Sequence, residues 1–170
     1  MVFGVELERA IARGRRIPLI VEKCINAVER RGLDKEGIYR IPASNVNLNA
    51  LRAKFEHDET IDLDNPSVPE AEDINCVAGM LKMYLRELPV PLFPASEKER
   101  MDIASALLRL ADPGVRLAKL KEYVNSINPA HRETLAAVID HMNRVADPSN
   151  QNRMNQASVA TVFAPVMFRE

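Results

Sequence analysis

The feature that most limits how this chain can fold is the helical spacing of its apolar residues. After Asp73 they recur every three or four positions: Ile74, Val77, Ala78, Leu81, Tyr84, Leu85 and Leu88. This spacing places them on one face of a helix. Asp73 can cap that helix, and the prolines of "ELPVPLFP" end it because a residue before proline avoids the helical region. No segment shows the alternation of two that predicts a half-buried strand.

Similar patterns predict helices along the rest of the chain. Pro18 suits the first turn of one helix, and Gly32 stops it. The segment "NVNLNALRAKFE" predicts another, capped by Asn45 or Asn47. Further helices are predicted at 96–110, 115–126, 129–145 and 156–163. A length of 170 residues suits one domain. We therefore predict an all-α fold, a single-domain bundle of about eight or nine helices over residues 1–170.

Composition excludes several classes of function. The net charge of -1 does not indicate a nucleic-acid partner. Cys24 and Cys76 have no companion Cys or His at ligand spacing, so we expect no metal site and a reducing compartment. The start of the chain lacks the pattern of a signal peptide, and the apolar run 159–168 is too short to span a membrane. We expect a cytoplasmic protein without a transmembrane segment.

Motifs of self-contained catalysis are also missing from the sequence. It has no phosphate-binding glycine loop, no dinucleotide fingerprint, no H-E-x-x-H and no G-x-S-x-G. His57, His131 and His141 are interpreted as ordinary surface or cap histidines. We therefore predict that the chain is not an enzyme by itself and binds no cofactor of its own. A catalytic role would consist of a group supplied to another protein.

Two short stretches carry positive charge in an unusual setting. In "EGIYRIPAS", Arg40 stands among apolar residues between a glycine and a proline. It is either a plain surface arginine or one delivered to another protein's active site. In "LKMYLRELPVPLFP", Lys82 and Arg86 lie four positions apart on one helix face. They form either a solvated face or a surface for an anionic or carbonyl-rich partner. Gly79, three positions earlier, would let another backbone approach.

Four blocks together resemble a known family. "FGVELERAI", "IPLIVEKCINAVERRGLDKEGIYRI", "LKMYLRELPVPLFP" and "NRMNQASVATVFAPVMFR" occur in this order, from Phe3 to Arg169. They are similar to the GTPase-activating domain of the RhoGAP family, which is a helical bundle. The resemblance also implies that the domain is part of a larger multidomain protein. We expect any membrane contact to be made by other domains of that protein.

The resemblance implies both an activity and a set of site residues. Members of the family bind Rho- and Rac-type small GTPases in their GTP form and insert an arginine beside the phosphates. Arg40 matches that position, so the chain is expected to activate an enzyme, with GTP and magnesium belonging to the GTPase. Lys82 and Arg86 match basic positions at the interface. The resemblance implies that Arg86 braces the finger loop through backbone carbonyls and that Lys82 meets the switch region.

Further positions match or depart from the family pattern. Asn152 and Pro165 match positions near the interface. Ala43 and Ala164 stand where the family usually has glycine, and Ser158 replaces an asparagine that contacts the GTPase. These departures keep a second interpretation open, a RhoGAP-like module that binds a GTPase or another partner without accelerating it. A third interpretation is a helical protein that uses the basic stretch "RGRR" on an anionic membrane.

Overall fold

The predicted helices are present in the computed structural model, which describes residues 1–169. Within these residues the chain forms eight α-helices and no strand. They are α1 (Leu7–Ala10), α2 (Leu19–Arg31), α3 (Asn45–His57), α4 (Ile74–Arg86), α5 (Glu97–Leu108), α6 (Pro113–Asn125), α7 (Pro129–Val145) and α8 (Gln156–Met167). A 3-10 turn, Pro69–Ala71, precedes α4. The all-α class and the number of helices are confirmed.

Helix α4 lies at the centre of the fold because its apolar stripe covers most of its circumference. It packs against α2, α3 and α8. Val77, Leu81 and Leu85 are fully buried, and each such side chain contributes roughly 1.5–3 kcal/mol relative to an exposed one. At the other end of the chain, Phe3 meets the Tyr84 ring edge-on, with ring centroids 5.7 Å apart. The residues that the sequence placed in one stripe therefore form the middle of the core.

Side-chain caps determine where several of the helices begin. Asp73 accepts a hydrogen bond from the Asn75 backbone and caps α4, as predicted. The cap of α3 is Ser44, whose hydroxyl accepts from the Asn47 backbone, so the prediction of Asn45 or Asn47 was wrong. Asp112 caps α6 and Pro113 occupies its first turn. Because these caps precede the apolar residues, α6 begins two positions earlier than predicted.

Helix α8 extends to Met167, four residues beyond its predicted end at Phe163. Proline is unfavourable inside a helix, because Pro165 lacks a backbone N–H and its ring disturbs the preceding turn. Val166 and Met167 are nevertheless almost completely buried. Burial of these two side chains outweighs the single lost hydrogen bond, and the helix continues with Pro165 exposed on its outer face.

The two cysteines lie in the core. Cys24 on α2 and Cys76 on α4 are buried and form no disulfide. Burial raises the pKa of Cys76 to about 11 and that of Cys24 further still, so both thiols are protonated at neutral pH. No group of three or more metal-ligating side chains occurs in residues 1–169. In the same part of the chain, no helix combines the length and the hydropathy that a membrane span requires.

Candidate functional site: the Gly37–Ile41 turn

Arg40 lies in a tight turn whose backbone is fixed by its own hydrogen bonds. The N–H groups of Arg40 and Ile41 both donate to the Gly37 carbonyl, each at 2.8 Å. Gly37 has φ +71°, a conformation that side-chain-bearing residues rarely adopt. A Cβ at this position would lie 2.6 Å from Ile41 Cδ1. The turn therefore requires glycine at position 37.

Asn152 ties this turn to the rest of the fold. Its backbone carbonyl accepts from the Gly37 N–H at 2.8 Å. Its side chain is buried and donates to the carbonyls of Leu33 and Val145, at 2.7 and 2.8 Å. Its Oδ1 accepts from the Met154 N–H at 2.8 Å. The hydrogen-bonding groups of the side chain are thus satisfied inside the protein, and Asn152 contacts the Gly37–Ile41 turn through its backbone.

Tyr39 anchors the residue next to Arg40. It has φ +70° and is only 1% exposed. Its ring packs edge-on against Phe163 of α8, with centroids 4.7 Å apart. A left-handed conformation at a non-glycine residue costs on the order of 1–3 kcal/mol and persists only when its surroundings impose it. Burial of the Tyr39 ring in the core supplies that constraint.

Lys82 braces the turn from the side of α4. Its ammonium donates to the Tyr39 carbonyl at 2.5 Å. Burial lowers the pKa of Lys82, and the neighbouring Arg86 lowers it further. The Arg86 side chain is exposed and makes no hydrogen bond or ion pair to residues 1–169. The bracing role that the family resemblance assigned to Arg86 is therefore filled by Lys82, because Arg86 lies one helical turn, about 6 Å, further along the axis.

The Arg40 guanidinium lies beside the turn, since a Cβ at Gly37 would be 3.5 Å from Arg40 Nη2. The Arg40 side chain is exposed and forms no hydrogen bond or ion pair with the part of the chain that the structure describes. The peptide that joins it to Tyr39 is held by Lys82, and the turn before it is held by Asn152. The site therefore combines a fixed backbone with a guanidinium that has no partner among residues 1–169. Such an arrangement can present a positive charge to an external anion.

The remaining predicted site residues lie on α8. The Ser158 N–H donates to the capping Asn155 side chain at 2.8 Å, and Ser158 is half-buried in the first turn of the helix. Pro165 is exposed. The structure brings neither residue into hydrogen-bonding contact with the Gly37–Ile41 turn within residues 1–169. No other backbone segment of residues 1–169 approaches Gly79, because the Leu48 side chain of α3 lies over it.

The two alanines that replace family glycines do not strain the backbone. Among the non-glycine residues of 1–169, positive φ angles occur only at Tyr39 and Arg153. Ala43 and Ala164 therefore adopt conformations that any residue tolerates. Ala43 is half-buried and packs against the core.

Sequence reasoning missed a buried polar chain behind the turn. The Tyr39 hydroxyl lies 2.5 Å from His141 Nε2 on α7, and His141 Nδ1 lies 2.6 Å from Glu29 Oε2 on α2. Arg144 Nε donates to the other oxygen of Glu29 at 2.7 Å. The interpretation of His141 as a surface or cap residue was wrong, because it is 0% exposed. Its position in the stripe Leu135, Val138 and Val145 could have revealed its burial.

Burial and hydrogen bonding change the pKa values of Glu29 and His141 in opposite directions. Burial lowers the pKa of His141 below its usual value, and the adjacent Glu29 opposes that change without reversing it. Burial alone would raise the pKa of Glu29. Hydrogen bonds from Arg144 and His141 outweigh burial and lower it. The chain thus contains an ionised carboxylate and a neutral imidazole at neutral pH.

The other histidines differ from each other in their surroundings. His131 was also interpreted as a surface or cap residue, yet it is 2% exposed and its Nδ1 lies 3.1 Å from the Leu92 carbonyl. His57, at the end of α3, is exposed as expected. Neither lies in the hydrogen-bonded chain behind the turn.

Comparison with known proteins agrees with this architecture. The RhoGAP domain profile matches residues 18–170. The chain is 40% identical to human Rho GTPase-activating protein 27 over 169 residues, which cover 99% of the chain and 18% of that protein. It is 34% identical to rat Rho GTPase-activating protein 15, over 99% of the chain and 34% of that protein. The chain therefore spans well under half the length of these curated relatives.

A solved structure shows the same fold. The crystal structure of human Rho GTPase-activating protein 15 is 32% identical and superimposes with a TM-score of 0.88, covering 99% of this chain and 78% of that one. The family profile and the relatives above 30% identity agree over nearly the whole sequence. This chain belongs to the RhoGAP domain family.

Proposed function

We propose that this domain stimulates GTP hydrolysis by a Rho-type small GTPase and that Arg40 is the arginine finger. The observation that carries the proposal is the pairing of an exposed guanidinium with a backbone fixed by Gly37, Tyr39 and Lys82. The GTPase supplies GTP, magnesium and the group that orients the attacking water. The domain supplies one charge and its position.

The physical reason is the charge that develops during phosphoryl transfer. Negative charge around the β- and γ-phosphates in the transition state is stabilised by a guanidinium that is already in place. An arginine finger accelerates hydrolysis by roughly 10³–10⁵, which is about 4–7 kcal/mol of barrier. Positioning matters as much as charge, because a finger displaced by about 1 Å can lose a hundredfold in rate. The hydrogen bonds of the Gly37–Ile41 turn support the proposal because they fix the backbone that carries Arg40.

The test is single-turnover hydrolysis by a panel of GTP-loaded Rho- and Rac-type GTPases. We expect the wild-type domain to accelerate at least one of them and Arg40→Ala to lose most of that acceleration while retaining binding. Arg13→Ala is the matched control, because Arg13 is also exposed and lies outside the turn. Equal rates for wild type and Arg40→Ala would refute the role of Arg40.

A binding-only module would behave differently with a transition-state mimic. An active finger is complementary to the transition state, so the domain should bind the GTPase loaded with GDP and aluminium fluoride much more tightly than the GTP form. Arg40→Ala should abolish that preference. Equal affinity of the wild-type domain for the GTP and aluminium-fluoride forms, without acceleration, would favour the binding-only interpretation.

A further inference from the structure

We propose that the buried side chains of Glu29, His141 and Tyr39 act as a positioning chain for the Arg40 finger and that they do so only while the imidazole is neutral. This inference rests on the proposed function and extends it to residues that touch neither the GTPase nor the nucleotide. The three side chains connect α2, α7 and the finger turn in one continuous series of hydrogen bonds.

The direction of each hydrogen bond follows from the chemistry of the groups. An ionised carboxylate can only accept, so His141 Nδ1–H donates to Glu29. In a neutral imidazole the other nitrogen is then an acceptor, so the Tyr39 hydroxyl donates to His141 Nε2. A protonated His141 would carry N–H groups on both nitrogens. The Tyr39 hydroxyl would then accept a hydrogen bond from Nε2–H, and its own proton would point into the buried interior without His141 as its acceptor.

The chain reaches Arg40 through a single peptide bond. The Tyr39 carbonyl and the Arg40 N–H belong to the same rigid plane. Lys82 holds the carbonyl of this plane, while the Tyr39 ring and hydroxyl hold the residue at φ +70°. A Tyr39 side chain that is free to tilt would let this strained residue relax. The relaxation would rotate the peptide plane from which Arg40 extends.

The surroundings of His141 favour the neutral form at physiological pH. Glu29 on α2 and Arg144 on α7 are the charged groups that face this part of the molecule. The Cys24 thiol on α2 lies near the Tyr39 hydroxyl, and burial together with Cys24 and Glu29 raises the pKa of Tyr39. Burial is the largest influence on His141 and lowers its pKa, with Arg144 acting in the same direction. Acidification is therefore needed to protonate His141 and reverse the direction of the hydrogen bond between Tyr39 and His141.

The first arm of the test is Tyr39→Phe, which keeps the ring and removes only the hydroxyl. The matched control is Tyr84→Phe, because the Tyr84 hydroxyl is buried and has no hydrogen-bond partner in residues 1–169. With one responsive GTPase, we expect Tyr39→Phe to lower the maximal single-turnover rate by about tenfold. The concentration of domain at half-maximal rate should change less than about twofold, because the hydroxyl does not touch the partner. Tyr84→Phe should match the wild type.

The second arm is the pH dependence of the stimulated rate, divided at each pH by the rate of the GTPase alone. The wild type should lose stimulation on the acid side as His141 gains a proton, and Tyr39→Phe should lack that acid limb. Glu29→Gln should move the limb to lower pH, because it removes the carboxylate that raises the pKa of His141. It also provides the test if Tyr39→Phe does not fold.

The outcomes separate this inference from the proposed function. A wild-type domain that accelerates no GTPase refutes the proposed function. An active wild type with an unchanged maximal rate and an unchanged acid limb in Tyr39→Phe refutes the positioning chain and leaves the function intact. Lower thermal stability of Tyr39→Phe with a wild-type rate would show a structural role alone and would also refute the inference. If only Glu29→Gln folds, an unmoved acid limb refutes it.

Discussion

Substitution of Gly37 by alanine changes the finger turn through a single methyl group. At φ +71° a Cβ costs roughly 1–2 kcal/mol, because it approaches the following carbonyl oxygen. Reduced freedom of the unfolded chain returns about 0.4–1 kcal/mol of this, so the net loss of stability from φ alone is about 1 kcal/mol. The methyl would also lie 2.6 Å from Cδ1 and 2.7 Å from Cγ1 of Ile41. That contact must be relieved by moving Ile41.

Movement of Ile41 would also affect Arg40, because the two residues share a hydrogen-bond acceptor. The N–H groups of both donate to the Gly37 carbonyl, so a shift of Ile41 would move the backbone from which the Arg40 side chain extends. We expect Gly37→Ala to lower the maximal stimulated rate by about tenfold to a hundredfold. Gly4→Ala is the matched control, since Gly4 has φ +72° and a Cβ there would meet nothing within 4 Å.

The assay combines urea denaturation with single-turnover GTP hydrolysis for both variants. Gly4→Ala should lose about 1 kcal/mol in the free energy of unfolding, and Gly37→Ala should lose more because Ile41 also has to move. Only Gly37→Ala should lose rate. Equal stimulated rates for the two variants would refute the argument that the geometry of the turn positions Arg40.

Two further predictions concern the groups behind the turn. Lys82→Met keeps an apolar stem but leaves the Tyr39 carbonyl without its charged donor, so the stimulated rate should fall about tenfold or more in single-turnover assays. Arg86→Met should leave the free energy of unfolding within about 0.5 kcal/mol of the wild type in urea titrations. If Lys82→Met and Arg86→Met lost the same stability, Lys82 would not be the residue that holds the Tyr39 carbonyl. The pKa of His141 is depressed in the native state, so the unfolded chain binds its proton first and stability should fall as the pH drops below 6.5, its ordinary value. Urea titrations at several pH values and an NMR titration of the imidazole check this, and a ring that titrates above its ordinary value would contradict it.

The sequence predicts those parts of the fold that local patterns determine. The stripe of α4, its Asp73 cap and the bounds of α7 are recovered because periodicity and capping act within one turn of helix. The end of α8 is not recovered, since it depends on what Val166 and Met167 bury against. A local rule about proline cannot anticipate a tertiary contact that outweighs it.

The same limit applies to the candidate site. The sequence draws attention to Arg40, Lys82 and Asn152, because charge and motif are visible in a single chain. It does not show that Lys82 rather than Arg86 reaches the Tyr39 carbonyl, because that depends on how α4 is placed against the turn. His141 is invisible to motif searches for a further reason. Its partner Glu29 lies 112 positions away, and only the packing of α2 against α7 brings them together.

In this site the groups that fix the backbone are different from the group that carries the exposed charge. Two positive φ angles, at Gly37 and Tyr39, are imposed by burial and by hydrogen bonds that are already formed in the isolated domain. The Arg40 guanidinium, in contrast, is exposed to water and forms no hydrogen bond or ion pair with residues 1–169. On binding a partner that offers concentrated negative charge, the Arg40 side chain has to be ordered but the turn does not. This separation explains why substitutions behind the turn should lower the stimulated rate more than the affinity for the GTPase.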